Sequence, residues 1–249
     1  MKLIINADDY GMRPAIDAAV EHLLQIGVVT SASLMVTGSS AGDAAAFLAK
    51  NARFGAGLHL DLDMVFSSAG FGKDDHGRFL VPDIFFDQEE VRSAIREQLA
   101  RQFGLFREMT GRVPDHLNGH RHVHLFPPVL ELMMPFLKEH SIPCIRFFPS
   151  FYADPPQAAA IRDLLEQNAL ISTKIFTDGP HLPAPELACS AEVMVHIALP
   201  AAAEQKSRLR EYALLADEAF RRSLESPGYE LCSFAELAAA HGQCPQGGA

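Results

Sequence analysis

The chain has 249 residues, 48% of them hydrophobic and 21% charged, enough apolar mass for a substantial core and no compositional bias towards disorder. A formal net charge of −10, with 21 Lys and Arg residues scattered along the chain, excludes nucleic acid as an expected partner. Cys144, Cys189, Cys232 and Cys244 lie far apart without a CxxC pair, so the expectation is reduced thiols in the cytoplasm rather than a zinc knuckle or disulfide framework. The apolar opening is too short for a signal peptide, and no run is long enough to span a bilayer.

Short apolar runs alternate with longer amphipathic ones, the pattern of β-then-α units around a mainly parallel sheet. Residues 2–7 read as the first strand. A helix over 14–26 follows, because Ala15, Ile16, Ala19, Val20, Leu23 and Leu24 recur at helical spacing after Pro14 and before Gly27. Residues 31–36 read as a strand, 42–51 as a helix and 57–62 as a third strand. Residues 63–87 break the rhythm with Gly70, Gly72, Asp74, Asp75 and Gly77, a loop or hairpin insertion of the kind that shapes binding sites. Asp87 with Glu90 three residues on predicts a capped helix running to Thr110 before Gly111. A strand over 116–119, a helix over 127–140, a strand over 144–147 and a helix over 157–168 follow. Further strands are expected over 170–176 and 192–197, then a helix over 203–222. Ser233 and Glu236 form a second capping box opening the last helix. The whole predicts an α/β fold, a distorted or incomplete (β/α) TIM-like barrel. It is expected to be a single domain over 1–243 with the insertion at 63–87 and a polar tail over 244–249. No GxGxxG turn follows the first strand, which weighs against a dinucleotide fold.

Catalytic groups of barrels gather at the carboxyl ends of the strands, and the polar residues expected there are Asp8, Asp9, His59, His120, Arg146 and His196. Two adjacent carboxylates repel, and a cation would resolve the conflict while leaving one free as a base. Asp9 is assigned to the metal and Asp8 to the base, a tie that sequence alone does not break. Four of the 11 histidines fall within Asp115–His124, and an extended His120-x-His122-x-His124 would set three rings on one face. Two or three of these suffice for a metal, leaving others to orient ligands or hold substrate. His59 interrupts an apolar strand and needs a buried partner. His196 lacks a neighbouring ligand candidate, so an acid role is favoured, with a core histidine equally open.

At these residues the sequence resembles the YdjC-like carbohydrate deacetylase family over nearly its whole length. The motifs are Ala7-Asp8-Asp9-Tyr10-Gly11, Gly57-Leu58-His59, His120-Arg121-His122-Val123-His124, Met194-Val195-His196 and the Ser233-Phe234 ending. The resemblance implies a metal held by Asp9, His59 and His120, and removal of acetyl groups from N-acetylated sugars such as chitooligosaccharides. Asn118-Gly119-His120, where many relatives have Asp first, looks closer to the branch associated with hopanoid lipid synthesis, for which the implied substrate is an N-acetylglucosaminyl lipid. Asn118 in place of Asp removes a carboxylate that could tune the metal, and Ile197 replaces the Pro that often follows the late His.

The expected mechanism is hydrolysis by metal-activated water, with Asp8 taking the proton and His196, as imidazolium, protonating the departing amine. Zinc ranks first and magnesium second. His122, His124 and Arg146 are candidate substrate contacts. Phe79, Phe85, Phe86, Phe147, Phe148 and Phe151 are candidates for an apolar wall, for core, or for a contact in an expected homodimer. Two other classes stay open: an iron oxygenase built on His59-Leu60-Asp61, and a non-catalytic sugar-binding barrel.

Overall fold

The computed structural model describes residues 1–74, 77–201 and 205–241. Asp75, the 203 start of the predicted late helix and the 244–249 tail with Cys244 lie outside them. In chain order the elements are β1 (Lys2–Tyr10), α1 (Pro14–Gln25), β2 (Ser31–Leu34), α2 (Ala41–Lys50), β3 (Gly55–Leu60), α3 (Asp63–Ser68), α4 (Glu89–Thr110), β4 (His116–Gly119), α5 (Pro127–Glu139) and β5 (Cys144–Ile145). They continue with α6 (Pro155–Gln167), β6 (Ile175–Asp178), β7 (Ser190–Val195), α7 (Lys206–Ala216), α8 (Glu218–Leu224), β8 (Glu230–Leu231) and α9 (Phe234–His241).

Every pairing between these strands is parallel, in the order β5-β4-β3-β2-β1-β7-β6, with β8 beside the start of β1. Among the described residues the path ends at β5 and β6 without joining them, so the curled sheet is an incomplete TIM-like barrel. Helices cover its outside. Ile16, Ala19, Val20, Leu23 and Leu24 of α1 are at most 1% exposed, and each large apolar side chain so buried contributes about 1.5–3 kcal/mol. The inner face follows from the two-residue period of the strands. A small apolar cluster of Ile4, Cys144, Cys232, Phe234 and Leu237 fills one part of it. Further along the same strands, the polar side chains of Asn6, Ser33, His116 and Asn118 hydrogen-bond with one another. Gly57 makes room for that layer, because a Cβ there would lie 2.2 Å from His116 Nε2.

Four local expectations change. Asp83–Asp87 is a 3-10 turn, and α4 is preceded by Gln88 with no side-chain cap, so the Asp87 box does not form; Gly111 does end α4 at φ 68°. The stretch 170–176 gives only an isolated bridge from Ile171 to Cys144, and the strand begins at Ile175. The late helix is interrupted at extended Asp217, whose carboxylate accepts from Ala219 N–H at 2.8 Å and starts α8. The run His120–Leu125 is a 3-10 segment with left-handed Arg121 (φ 55°) and His122 (φ 59°), so its three rings do not share a face. The Ser233 box does form, with Ser233 N–H donating to Glu236 at 2.7 Å and Glu236 N–H to Ser233 Oγ at 3.2 Å.

Candidate metal centre

Neighbouring residues of a regular strand face opposite sides. The register slips between Ala7 and Tyr10, and Asp9 adopts φ 61°, a left-handed conformation that Asp tolerates. The turn beyond it is held by Gly11 at φ 89°, whose N–H donates to buried Asp17 at 2.7 Å. The effect is that both carboxylates are buried at the same strand end, Asp8 at 1% and Asp9 at 0% exposure.

Asp9, His59 and His120 each offer one ligand atom, all within 4.8 Å of one another. Asp9 Oδ1 lies 2.8 Å from His120 Nδ1 and 3.2 Å from His59 Nε2. His59 Nδ1 donates to Asn118 Oδ1 at 2.7 Å, and its buried Nε2, 3.2 Å from Asp9 Oδ1, makes no aligned hydrogen bond to any described residue. That leaves a lone pair directed at the cluster, the arrangement of a second group orienting a metal-binding imidazole. Burial would raise the Asp9 carboxyl, but His120 and His59 hold it well below the ordinary carboxylate range. Burial opposes charge on His59, yet Asp8 and Asp9 raise its pKa. The cluster thus favours positive charge at its centre, and two imidazoles with one carboxylate could hold a divalent ion.

Asp8 stands beneath. Arg146 Nη1 and Nη2 donate to its two oxygens at 2.6 and 2.7 Å, Asn6 at 2.8 Å and Asn118 at 3.2 Å. The same guanidinium donates from Nε and Nη2 to Glu192 at 2.8 and 2.6 Å. Burial pushes Asp8 up, but Arg146, with His59, outweighs it and holds the carboxyl far below its ordinary value. Arg146 is 1% exposed and its donors are spent on two acids, so it belongs to the floor of the site rather than to the face a substrate meets.

His196 Nε2 lies 4.0 Å from Asp9 Oδ2, with 33% of its side chain exposed. Burial lowers its pKa, with Asp9 and Asp8 opposing, so the imidazolium of the expected mechanism is disfavoured at rest. Its backbone N–H donates to Glu211 at 2.8 Å. His122 and His124 stay outside the cluster. His122 packs edge-on to Phe148 at 5.0 Å between ring centroids, and burial lowers its pKa to about 3. His124 is fully buried, and its Nε2–H donates to the Arg146 carbonyl at 3.1 Å. The remaining histidine of the run, His116, lies between Asp115 at 2.5 Å and Ser33 at 2.9 Å, stacked on Phe234.

The Asp61 carboxylate accepts from Thr37 and from Asp63 N–H, away from the cluster, so His59-Leu60-Asp61 does not assemble as an iron triad. Phe79, Phe85 and Phe86 pack around Phe66 as core. Phe148 and Phe151 face His122, while Phe147 packs on Tyr152.

Sequence reasoning passed over Asn6, Ser33, Glu192, Arg208 and Glu211. For the first three a signal existed, since polar residues recur at every second position of strands that are otherwise mostly apolar. Arg208 donates to Asp9 Oδ2 from α7, and nothing in a helix of ordinary charge density marks it.

No helix among the described residues is long and apolar enough to cross a membrane. The chain is 32% identical over 152 residues to a carbohydrate deacetylase of Xenopus laevis, covering 57% of this chain and 49% of that one, so it spans about half the length of this relative. It is 25% identical to a carbohydrate deacetylase of Clostridium beijerinckii over 95% of this chain and all of the other. Among solved structures it is similar to an Enterococcus faecalis protein described as a cellobiose-phosphate cleavage protein, with a TM-score of 0.71, 22% identity and coverage of 95% and 98%, a likeness of fold. The YdjC-like protein family matches residues 2–226, a span that contains both aspartates and every histidine of the site. The chain therefore belongs to the YdjC-like family.

Proposed function

We propose that this protein is a metal-dependent hydrolase that removes the N-acetyl group from an amino sugar, an N-acetylglucosamine-containing oligosaccharide or glycolipid. The observation that carries the reading is the Asp9, His59 and His120 cluster, in which a buried imidazole nitrogen makes no aligned hydrogen bond to any described residue. The names of the Xenopus and Clostridium relatives support the acylated-carbohydrate substrate class.

Asp9, His59 and His120 would hold the ion, zinc by preference for two imidazoles and magnesium second. When bound, such an ion supplies Lewis acidity to a water and an acyl oxygen. Asp8 is the base. Arg146 keeps it ionised across the neutral range, and a weak base suffices for a proton already made acidic. Asn118 joins the two halves of the site, since its oxygen fixes the His59 tautomer while its amide donates to Asp8. His196 stands at the open side and delivers a proton to the amine; burial disfavours its charged form, so the proton that Asp8 takes from the water must pass to it before the C–N bond breaks. His122, beside Phe148 and Phe176, offers an uncharged ring edge and an apolar wall to the sugar. Arg146 and His124 serve by fixing Asp8 and the segment after β5.

The test is release of acetate from N-acetylglucosamine oligomers by purified protein. Turnover should vanish with a chelator, return with zinc and be lost in His120→Ala with little change in melting temperature. Turnover that survives metal removal would refute the reading.

A further inference from the structure

Two arginines are buried at the candidate site, and they differ in how their donors are used. Arg146 is saturated, with Nε, Nη1 and Nη2 all on Asp8 or Glu192. Arg208 is 6% exposed and donates from Nη2 to Asp9 Oδ2, while its Nε and Nη1 are buried without an acceptor among the described residues. A buried guanidinium nitrogen without a partner is rare in folded proteins, because it has given up water and gained nothing.

Among the described residues, three acids of the site have other partners. Asp8 and Glu192 hold Arg146, and Glu211, one turn along α7, accepts from the His196 backbone. The contact with Asp9 sets the guanidinium beside the metal-ligand cluster, on the carboxylate oxygen that also lies 4.0 Å from His196 Nε2. His196 is a third exposed, so this is the side on which the site meets solvent. A planar guanidinium matches the two oxygens of a carboxylate in a way a lysine ammonium does not.

We infer that Arg208 is a ligand-binding residue of this site, whose free donors take a small carboxylate, the acetate formed when the acyl group is hydrolysed. The inference rests on the deacetylase reading only for the identity of that carboxylate. It assigns α7 a place in the active site and gives the acyl side a recognition group separate from the Asp9, His59 and His120 triad.

The experiment is calorimetric titration of sodium acetate into zinc-saturated protein, comparing wild type with Arg208→Ala and Arg208→Lys at verified zinc occupancy. Arg208→Ala should weaken acetate at least tenfold, with Arg208→Lys in between. The Nε–H resonance of Arg208 in the wild-type protein should also shift as acetate is added, a readout that needs no variant to fold. Acetate binding equally well to Arg208→Ala, or a resonance that does not move, would overturn the inference. Intact turnover on N-acetylglucosamine oligomers with acetate affinity unchanged in Arg208→Ala would overturn it and leave the deacetylase reading standing. An acetate-dependent Arg208 shift in a protein that hydrolyses no acetylated sugar would support the carboxylate site and sink the deacetylase reading.

Discussion

Replacing Arg146 by Met keeps much of its volume and removes its charge, which isolates the electrostatics of the barrel floor. In the wild-type protein Arg146 bridges Asp8 and Glu192 through four charge-assisted contacts of 2.6 to 2.8 Å, with all three side chains at most 2% exposed. Solvent screening is negligible there, and removing one partner leaves two buried carboxylates without a countercharge. Breaking such a buried cluster costs about 3–5 kcal/mol. That is a large share of the roughly 5–15 kcal/mol by which a domain is stable, and it corresponds to a melting temperature lower by roughly 6–20 °C. The pH dependence has a definite sign. Asp8 is held below its unfolded pKa of 3.8, so it adds stability that is present above that value and lost as pH falls through the folded one. Between pH 5 and 8 this group leaves the wild-type curve flat. Without Arg146, burial raises the Asp8 carboxyl, so the deficit of the variant should be greatest near neutral pH and shrink as the pH falls. Urea unfolding of both proteins across that range measures it. A loss below about 1 kcal/mol, or a deficit independent of pH, would refute the claim that Arg146 is what keeps Asp8 charged.

Asn118→Ala removes the acceptor that fixes His59 Nδ1–H, and should weaken zinc about 10- to 100-fold in a chelator competition assay; unchanged affinity would deny it that orienting role. Burial raises the Glu211 carboxyl from 4.5 to about 7, so the folded chain keeps this proton where the unfolded chain has lost it. Stability from this group should fall as pH rises from about 4.5 to about 7. Glu211→Gln should remove that slope, as read from the difference between the two proteins' unfolding free energies against pH.

The β/α rhythm was legible because apolar runs and capped helices are local properties, and the positions of Asp8, Asp9, His59 and His196 at strand ends followed from it. The conformation of 120–125 was not. Extended backbone is the simple reading of alternating histidines, but two consecutive left-handed residues are imposed by contacts distant in sequence. Arg121 Nε donates to Asp63 at 3.1 Å and its Nη1 to the Gly77 carbonyl, both in the insertion. That geometry sends His120 alone to Asp9. Arg208 was invisible for a related reason, since its role depends on where α7 crosses the barrel mouth. The inner polar layer was visible in principle. Asn6 and Asp8, Ser31 and Ser33, His116 and Asn118, and Ser190 and Glu192 alternate within buried strands, and such residues need partners across the barrel rather than along the chain. Glycine at 57 is explained by the same layer, as the space His116 occupies.

The central claim is that Asp9, His59 and His120 hold one divalent ion. Anomalous diffraction at the zinc edge, from crystals grown with zinc, tests it most directly. The account predicts a single peak about 2.0–2.2 Å from an Asp9 oxygen, His59 Nε2 and a nitrogen of His120. A peak elsewhere, or zinc-saturated crystals with no peak among these three side chains, would contradict it.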